Sequence, residues 1–167
     1  MNDKIILPKD ATAEYIALGT CFSNEIAAKN VMTNLQASDF HTPEMKILYE
    51  IMKKCFESTG KIIFYDIMHR SYEQGLMSQI SLKTLNDISN CHSSSYDYYI
   101  DKLKMVSAKR KADSILQDNI YSFCDEKTEY GECVQNVVSE LSCQYQNSDV
   151  NICSCEDIHN DFNEGLS

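Results

Sequence analysis

The chain has 167 residues, 43% of them hydrophobic, which suits one domain with a buried core and excludes wholesale disorder. Its net charge of −10 is concentrated late: residues 118–167 hold 11 acidic groups and one basic group, so that third of the chain repels duplex DNA. Five glycines and two prolines are too few for the turns of a many-stranded fold, no apolar run is long enough to span a membrane, and no hydrophobic signal core follows Met1. The expectation is an all-α, cytoplasmic protein: a compact helical bundle, a long antiparallel helical hairpin and a short linker helix. In a reducing compartment its cysteines are expected as thiols, several on helix faces as small hydrophobes.

Asp10 is placed to cap a first helix in which Ala11, Tyr15, Leu18 and Phe22 recur at helical spacing. Ser23 or Asn24 starts a second, carrying Ala27, Val31 and Leu35, before a short link at Ser38, Asp39 and Phe40. The clearest helix follows, with Thr42 as cap, Pro43 in the first position, Glu44 in the first turn and Gly60 beyond the end. Its stripe of Ile47, Leu48, Ile51, Met52, Cys55 and Phe56 belongs at the centre of the core.

Ile62, Ile63, Phe64 and Tyr65 have strand-like character without a partner strand and read as an extended, buried linker. Asp66 then caps a short helix ending at Gly75, and Ser81 another with Leu82, Leu85 and Ile88. Ser93, Ser94 and Ser95 close a helical N-terminal core, residues 1–95.

From Ser95 the helical pattern runs unbroken to about Lys127, too long to stay within a small body. Gly131 breaks it, and Val134, Val137, Val138, Leu141 and Tyr145 line a second helix, giving a hairpin over residues 96–147. Ile115, Leu116, Ile120 and Phe123 are expected to face Val134, Val137, Val138 and Leu141, and the apolar edge left over is expected to meet a second copy in a two-fold dimer. Residues 148–167 form a linker with a short amphipathic segment, in which Ser154 and Asp157 match a capping box and Cys155, Ile158 and Phe162 share one face.

The chemistry-bearing residues also have simpler roles. Cys153, Cys155 and His159 have metal-capable side chains but no fourth ligand, and no Cys-x-x-Cys pair occurs, so they read as ordinary helix residues. Cys91 beside His92 lacks an orienting third group, because adjacent helical residues point apart. His41 and His69 read as a cap neighbour and a surface residue. Tyr96, Tyr98 and Tyr99 beside Lys102 and Lys104 offer a stacking platform for single-stranded nucleic acid, set against the plainer reading of a buried helix start. Lys102, Lys104, Lys109, Arg110 and Lys111 form the one basic cluster, which reads as a solvated face.

Pro8, Glu14, Leu18, Gly19, Asp39, Phe40, Gly60, Gly75, Leu76, Tyr99 and Arg110, taken in order over this helical pattern, resemble the N-terminal domain of DnaB-type replicative helicases. Two positions depart from that pattern: Met45 stands where the family usually has His, and Phe64 where an Asp often follows the Gly.

The resemblance implies a collar domain on a hexameric ring, with hairpins pairing between subunits and a surface that receives primase and the helicase loader. It also implies that Cys155, Ile158 and Phe162 dock on a neighbouring motor domain. With glycines only at Gly19, Gly60, Gly75, Gly131 and Gly165, no phosphate loop can be written, so ATPase activity is not expected here and the ATPase motor domain is expected to be absent from these residues. Catalytic, cofactor-binding and metal-ligating residues are expected to be none in this chain, with ATP and Mg belonging to a full-length parent. A free-standing helical adaptor, of helicase-loader or primase-side type, is the alternative from another class. A cysteine-rich metal or redox enzyme is a third.

Overall fold

The computed structural model describes residues 9–124 and 128–147. These form seven α-helices and a 3-10 turn, with no strand among the described residues. In chain order they are α1 (Ala11–Ser23), α2 (Glu25–Asn34), the turn Ala37–Asp39, α3 (Pro43–Thr59), α4 (Phe64–Glu73), α5 (Leu82–Ser89), α6 (Tyr96–Cys124) and α7 (Tyr130–Asn147).

Short polar side chains set where most helices begin, because the first backbone amides of a helix have no intrahelical partner. Asp10 Oδ1 accepts from the Ala13 amide at 2.8 Å, and Asn24 Oδ1 from Ile26 and Ala27 at 2.9 and 3.1 Å. Thr42 Oγ1 accepts from Met45 at 3.2 Å and Ser81 Oγ from Thr84 at 2.9 Å. Gly60 ends α3 in the left-handed region at φ 71°, a conformation that a Cβ disfavours.

The core gathers around α3. Leu48, Tyr49, Ile51, Met52 and Cys55 are buried there against Leu18, Val31, Phe40, Ile67, Ile80, Ile88 and Leu103 from the surrounding segments. Phe40 and Tyr49 meet at a tilt of 32° with ring centroids 5.2 Å apart, and the Tyr49 hydroxyl donates to the Leu35 carbonyl. Truncating a side chain such as Leu48 to Ala costs about 2–5 kcal/mol, since the cavity left behind collapses only in part.

Gly19 lets two segments touch. A Cβ there would lie 1.8 Å from the Cys91 carbonyl oxygen and 2.3 Å from that of Ile88, so α1 meets the end of α5 backbone to backbone. One residue on, Thr20 Oγ1 accepts from the Ser93 amide at 3.2 Å, fixing the approach to α6.

Two local expectations are corrected. The stretch from Ile62 to Tyr65 is not one extended linker: Ile63 is the extended cap residue and α4 already starts at Phe64. Phe64, Ile67, Met68 and Ser71 fall on one helical face against the core, and that packing outweighs the local β preference of the run. Asp66 therefore sits in the first turn of α4 and is not its cap.

Gly131 likewise does not break the long helical run, because it is the second residue of α7 and has no positive φ. The reversal precedes it, with the Glu129 carbonyl accepting from Glu132 and Cys133 at 3.0 and 3.2 Å. α6 is described to Cys124, so the expected helical run to Lys127 ends in residues outside the description, as does everything after Asn147.

Candidate assembly surface

α6 has two halves with different surroundings. In its first half Ile100, Leu103, Val106 and Ser107 are buried against the body, where the helix packs on α1, α2 and the 3-10 turn. Polar contacts pin the same stretch. Lys102 Nζ lies 2.6 Å from Asp10 Oδ2, Arg110 Nη2 donates to the Asp39 carbonyl at 2.6 Å, and Lys111 Nζ lies 3.9 Å from Asp39 Oδ1.

Glu14 completes this knot from α1. Its carboxylate is almost fully buried and accepts from the His41 amide at 2.6 Å. Burial raises its pKa above the ordinary value, while the His41 amide bond and the charge of Arg110 act to lower it. The Lys102 hydrogen bond, joined by the Ala13 amide, holds Asp10 below its ordinary value instead. Glu14, Asp39 and Arg110 thus work as a buried joint between body and hairpin, a role that apolar periodicity alone does not reveal. The available signal was a glutamate set inside the apolar face of α1, beside Ala13, Ala17 and Leu18.

Beyond Arg110 the helix leaves the body, and its extensive packing is with α7 alone. Three contacts describe the seam. Cys133 Sγ donates to the Ser122 carbonyl at 3.3 Å, Asn119 Nδ2 to Glu140 Oε2 at 3.0 Å, and Phe123 meets Tyr130 edge to face at 6.3 Å.

The eight residues singled out for self-association divide between this seam and solvent. Ile115, Val134, Val137 and Leu141 are half-buried, whereas Leu116, Ile120, Phe123 and Val138 are exposed. Helix geometry explains the division: Ile115, Asn119 and Ser122 follow one line along α6 toward α7, and Leu116, Ile120 and Phe123 follow the adjacent line. Cys155, Ile158 and Phe162, named for linker docking, lie outside the described residues, together with Cys153, Ser154, Asp157 and His159.

Tyr96 and Tyr99 pack against the core, leaving Tyr98 exposed and edge-on to Tyr99 at 5.2 Å, while Lys102 is drawn to Asp10. A cleft of about 360 Å³ between α3 and α4 is lined by Cys55, Asp66, His69, Arg70 and Glu73 among others. In it Arg70 donates to Ser58 Oγ at 2.7 Å and His69 Nδ1 lies 3.4 Å from Glu73 Oε2. Among the described residues no three His, Cys, Asp or Glu side chains gather as a metal site, and no helix is long and apolar enough to cross a membrane. The described cysteines are thiols, and burial pushes Cys21 up to about 12.

An all-helical body with one long projecting hairpin is the arrangement against which known proteins can be compared. The profile of the family described as DnaB-like helicase N terminal domain matches residues 6–105. The chain belongs to this family. The fold agrees: a crystal structure of the N-terminal domain of DnaB helicase from Mycobacterium tuberculosis superposes with a TM-score of 0.73 at 17% identity. That likeness covers 83% of this chain and 99% of the other. No curated protein matches the chain. In DnaB-like terms, Glu14, Gly19, Asp39, Phe40, Tyr99 and Arg110 are positions that hold the body together and carry the hairpin.

Proposed function

We propose that this chain is the N-terminal oligomerisation and docking domain of a hexameric replicative DNA helicase. The observation that carries the reading is the α6–α7 hairpin. It projects from a body of the DnaB-like family and leaves Leu116, Ile120, Phe123 and Val138 in solvent, a surface that one copy cannot cover by itself. A two-fold pairing of hairpins between copies accounts for that surface, and pairs of this kind build a collar on the hexameric ring.

In this reading the domain works by presenting surfaces. Its partners are further copies of itself, primase and the helicase loader, met in the cytoplasm, and DNA is engaged weakly if at all because the chain carries a net charge of −10. ATP and Mg are not ligands of these residues: the glycine spacing supplies no phosphate loop, and such chemistry belongs to a motor domain of the full-length helicase. Cys155, Ile158 and Phe162 are the residues proposed to dock on that motor.

Sedimentation velocity at tens of micromolar tests the proposal. Dimers or larger assemblies are expected, and a strictly monomeric chain at these concentrations would overturn the oligomerisation role.

A further inference from the structure

Three charged side chains follow one another along the cleft side of α4. Asp66, Arg70 and Glu73 stand at helical spacing, so they share one line of the helix in the order negative, positive, negative. The line borders the cleft of about 360 Å³ between α4 and the end of α3, where Cys55, Ser58 and Thr59 form the other wall. The core takes up a different side of α4, through Phe64, Ile67, Met68 and Ser71.

These charges do not neutralise one another. Arg70 donates to Ser58 Oγ at 2.7 Å, and that hydroxyl is itself held to the carbonyls of Lys54 and Cys55 at 3.0 and 2.9 Å. The guanidinium is thus placed without a carboxylate beside it: the ion pairs among the described residues are those of Lys61, His69, Lys102 and Lys111, and neither Arg70 nor Asp66 takes part. One neutral partner leaves most of the N–H donors of Arg70 unused.

An exposed aromatic line runs beside the charges. Tyr65 and Tyr72 are 69% and 78% exposed and lie two turns apart, with His69 between them and stacked on Tyr65 at 6.2 Å. Interfaces between proteins favour both residue types, because a tyrosine ring buries much area at small entropic cost and a guanidinium offers a planar fork of donors.

We propose that this side of α4 docks a helix of another protein, one that carries an acidic residue between two basic residues at the same helical spacing. The acidic side chain enters the cleft to meet Arg70. The basic side chains, one turn to either side, meet Asp66 and Glu73 while their stems lie over Tyr65 and Tyr72. The order of charges on α4 decides this chemistry. A lone anion at Arg70 is repelled by the two flanking carboxylates and a lone cation by the guanidinium, so neither nucleic acid nor a uniformly basic segment fits. The contact spans about two helical turns, which suits a transient partner. It rests on the docking role proposed above and names the chemistry of a partner for it, on a surface separate from the hairpin.

Helical peptides of about 20 residues, long enough to hold a helix in water, test the proposal against the whole chain. Two peptides share one alanine-rich composition and differ only in the order of their three charges at that spacing, Lys, Glu, Lys or Lys, Lys, Glu. Fluorescence anisotropy at low salt, where surface charges are least screened, is expected to show the first bound about fivefold more tightly than the second. Arg70→Glu and Glu73→Lys are each expected to remove most of that preference, with circular dichroism confirming that the variants stay folded. Lys83→Glu, a charge reversal at an exposed position of α5, is expected to keep it. Equal binding of both peptides by the wild type, or a preference that survives Arg70→Glu and Glu73→Lys, overturns the site while leaving the hairpin's role in place. A loss of self-association in Arg70→Glu, read by sedimentation, would assign this surface to a second copy and overturn the choice of partner.

Discussion

Arg110 donates through Nη2 to the backbone carbonyl of Asp39 at 2.6 Å, across 71 residues of sequence. The bond ties the middle of the longest helix to the 3-10 turn, and the buried Glu14 carboxylate lies close enough to feel the same guanidinium. Three chain segments distant in sequence are thereby held at the point where the hairpin leaves the body.

Replacing Arg110 by Ala leaves the Asp39 carbonyl without this donor and the Glu14 charge without its cation. A loss of about 2–4 kcal/mol is expected, because a buried charge whose partner is removed cannot regain water. Chemical denaturation monitored by circular dichroism measures it, and a loss below about 0.5 kcal/mol would show that the joint is not structural.

Gly19→Ala is expected to cost more than about 3 kcal/mol or to prevent folding. The new methyl would lie 1.8 Å from a backbone oxygen, which cannot move aside as a side-chain tip can. Gly131→Ala is the control. Nothing lies within 4 Å of its Cβ position, so the thermal midpoint should hold or rise slightly.

Acid titration should separate two carboxylates of opposite sign. Asp10 has its folded pKa lowered by Lys102, so its stabilisation is present above the ordinary value of 3.8 and is lost as pH falls through the folded value. Glu14 has its folded pKa raised by burial, so its charge opposes folding above that value, and the cost is relieved as pH falls toward the ordinary 4.5. Asp10→Asn should therefore flatten the stability loss below pH 3.8, and Glu14→Gln should remove the relief just above pH 4.5. Stability curves for the two variants that tracked the wild type through both windows would contradict these assignments.

Ile120→Asp addresses the proposed pairing surface without entering the core, since Ile120 is 56% exposed. Burying the new carboxylate between copies costs roughly 2 kcal/mol, so dimerisation should weaken by at least about tenfold while helicity is kept. An unchanged dissociation constant would remove Ile120 from the interface.

Contaminant-free protein is expected to show no ATP turnover and no unwinding of DNA. Measurable phosphate release that follows the protein through purification would contradict the reading of a domain that works by presenting surfaces.

How much of this could be read from the residues depended on which force decided each feature. α3 was legible throughout, because Thr42, Pro43, Gly60 and an unbroken apolar stripe all agree. The start of α4 was not, because the local β preference of Ile62 to Tyr65 yields to tertiary packing of Phe64 and Ile67. Within the hairpin, strongly hydrophobic residues were expected along the seam. Beside the half-buried Ile115, Val134, Val137 and Leu141, the seam also uses Asn119, Ser122, Cys133 and Glu140, polar or small side chains whose pairing hydrophobic periodicity cannot register. The order of residues resembling the DnaB family identified the fold correctly, but it did not say that Glu14 and Arg110 meet at one buried joint.

That joint also acts mechanically. From Arg110 to Cys124 α6 extends about 21 Å beyond its last anchor, so a 10° tilt there swings the far end of the helix by about 4 Å. A displacement of that size exceeds the tolerance of a packed interface, while the body itself need hardly change. Substitutions at the buried Glu14 or Asp39 are therefore expected to alter how copies are spaced in the proposed assembly.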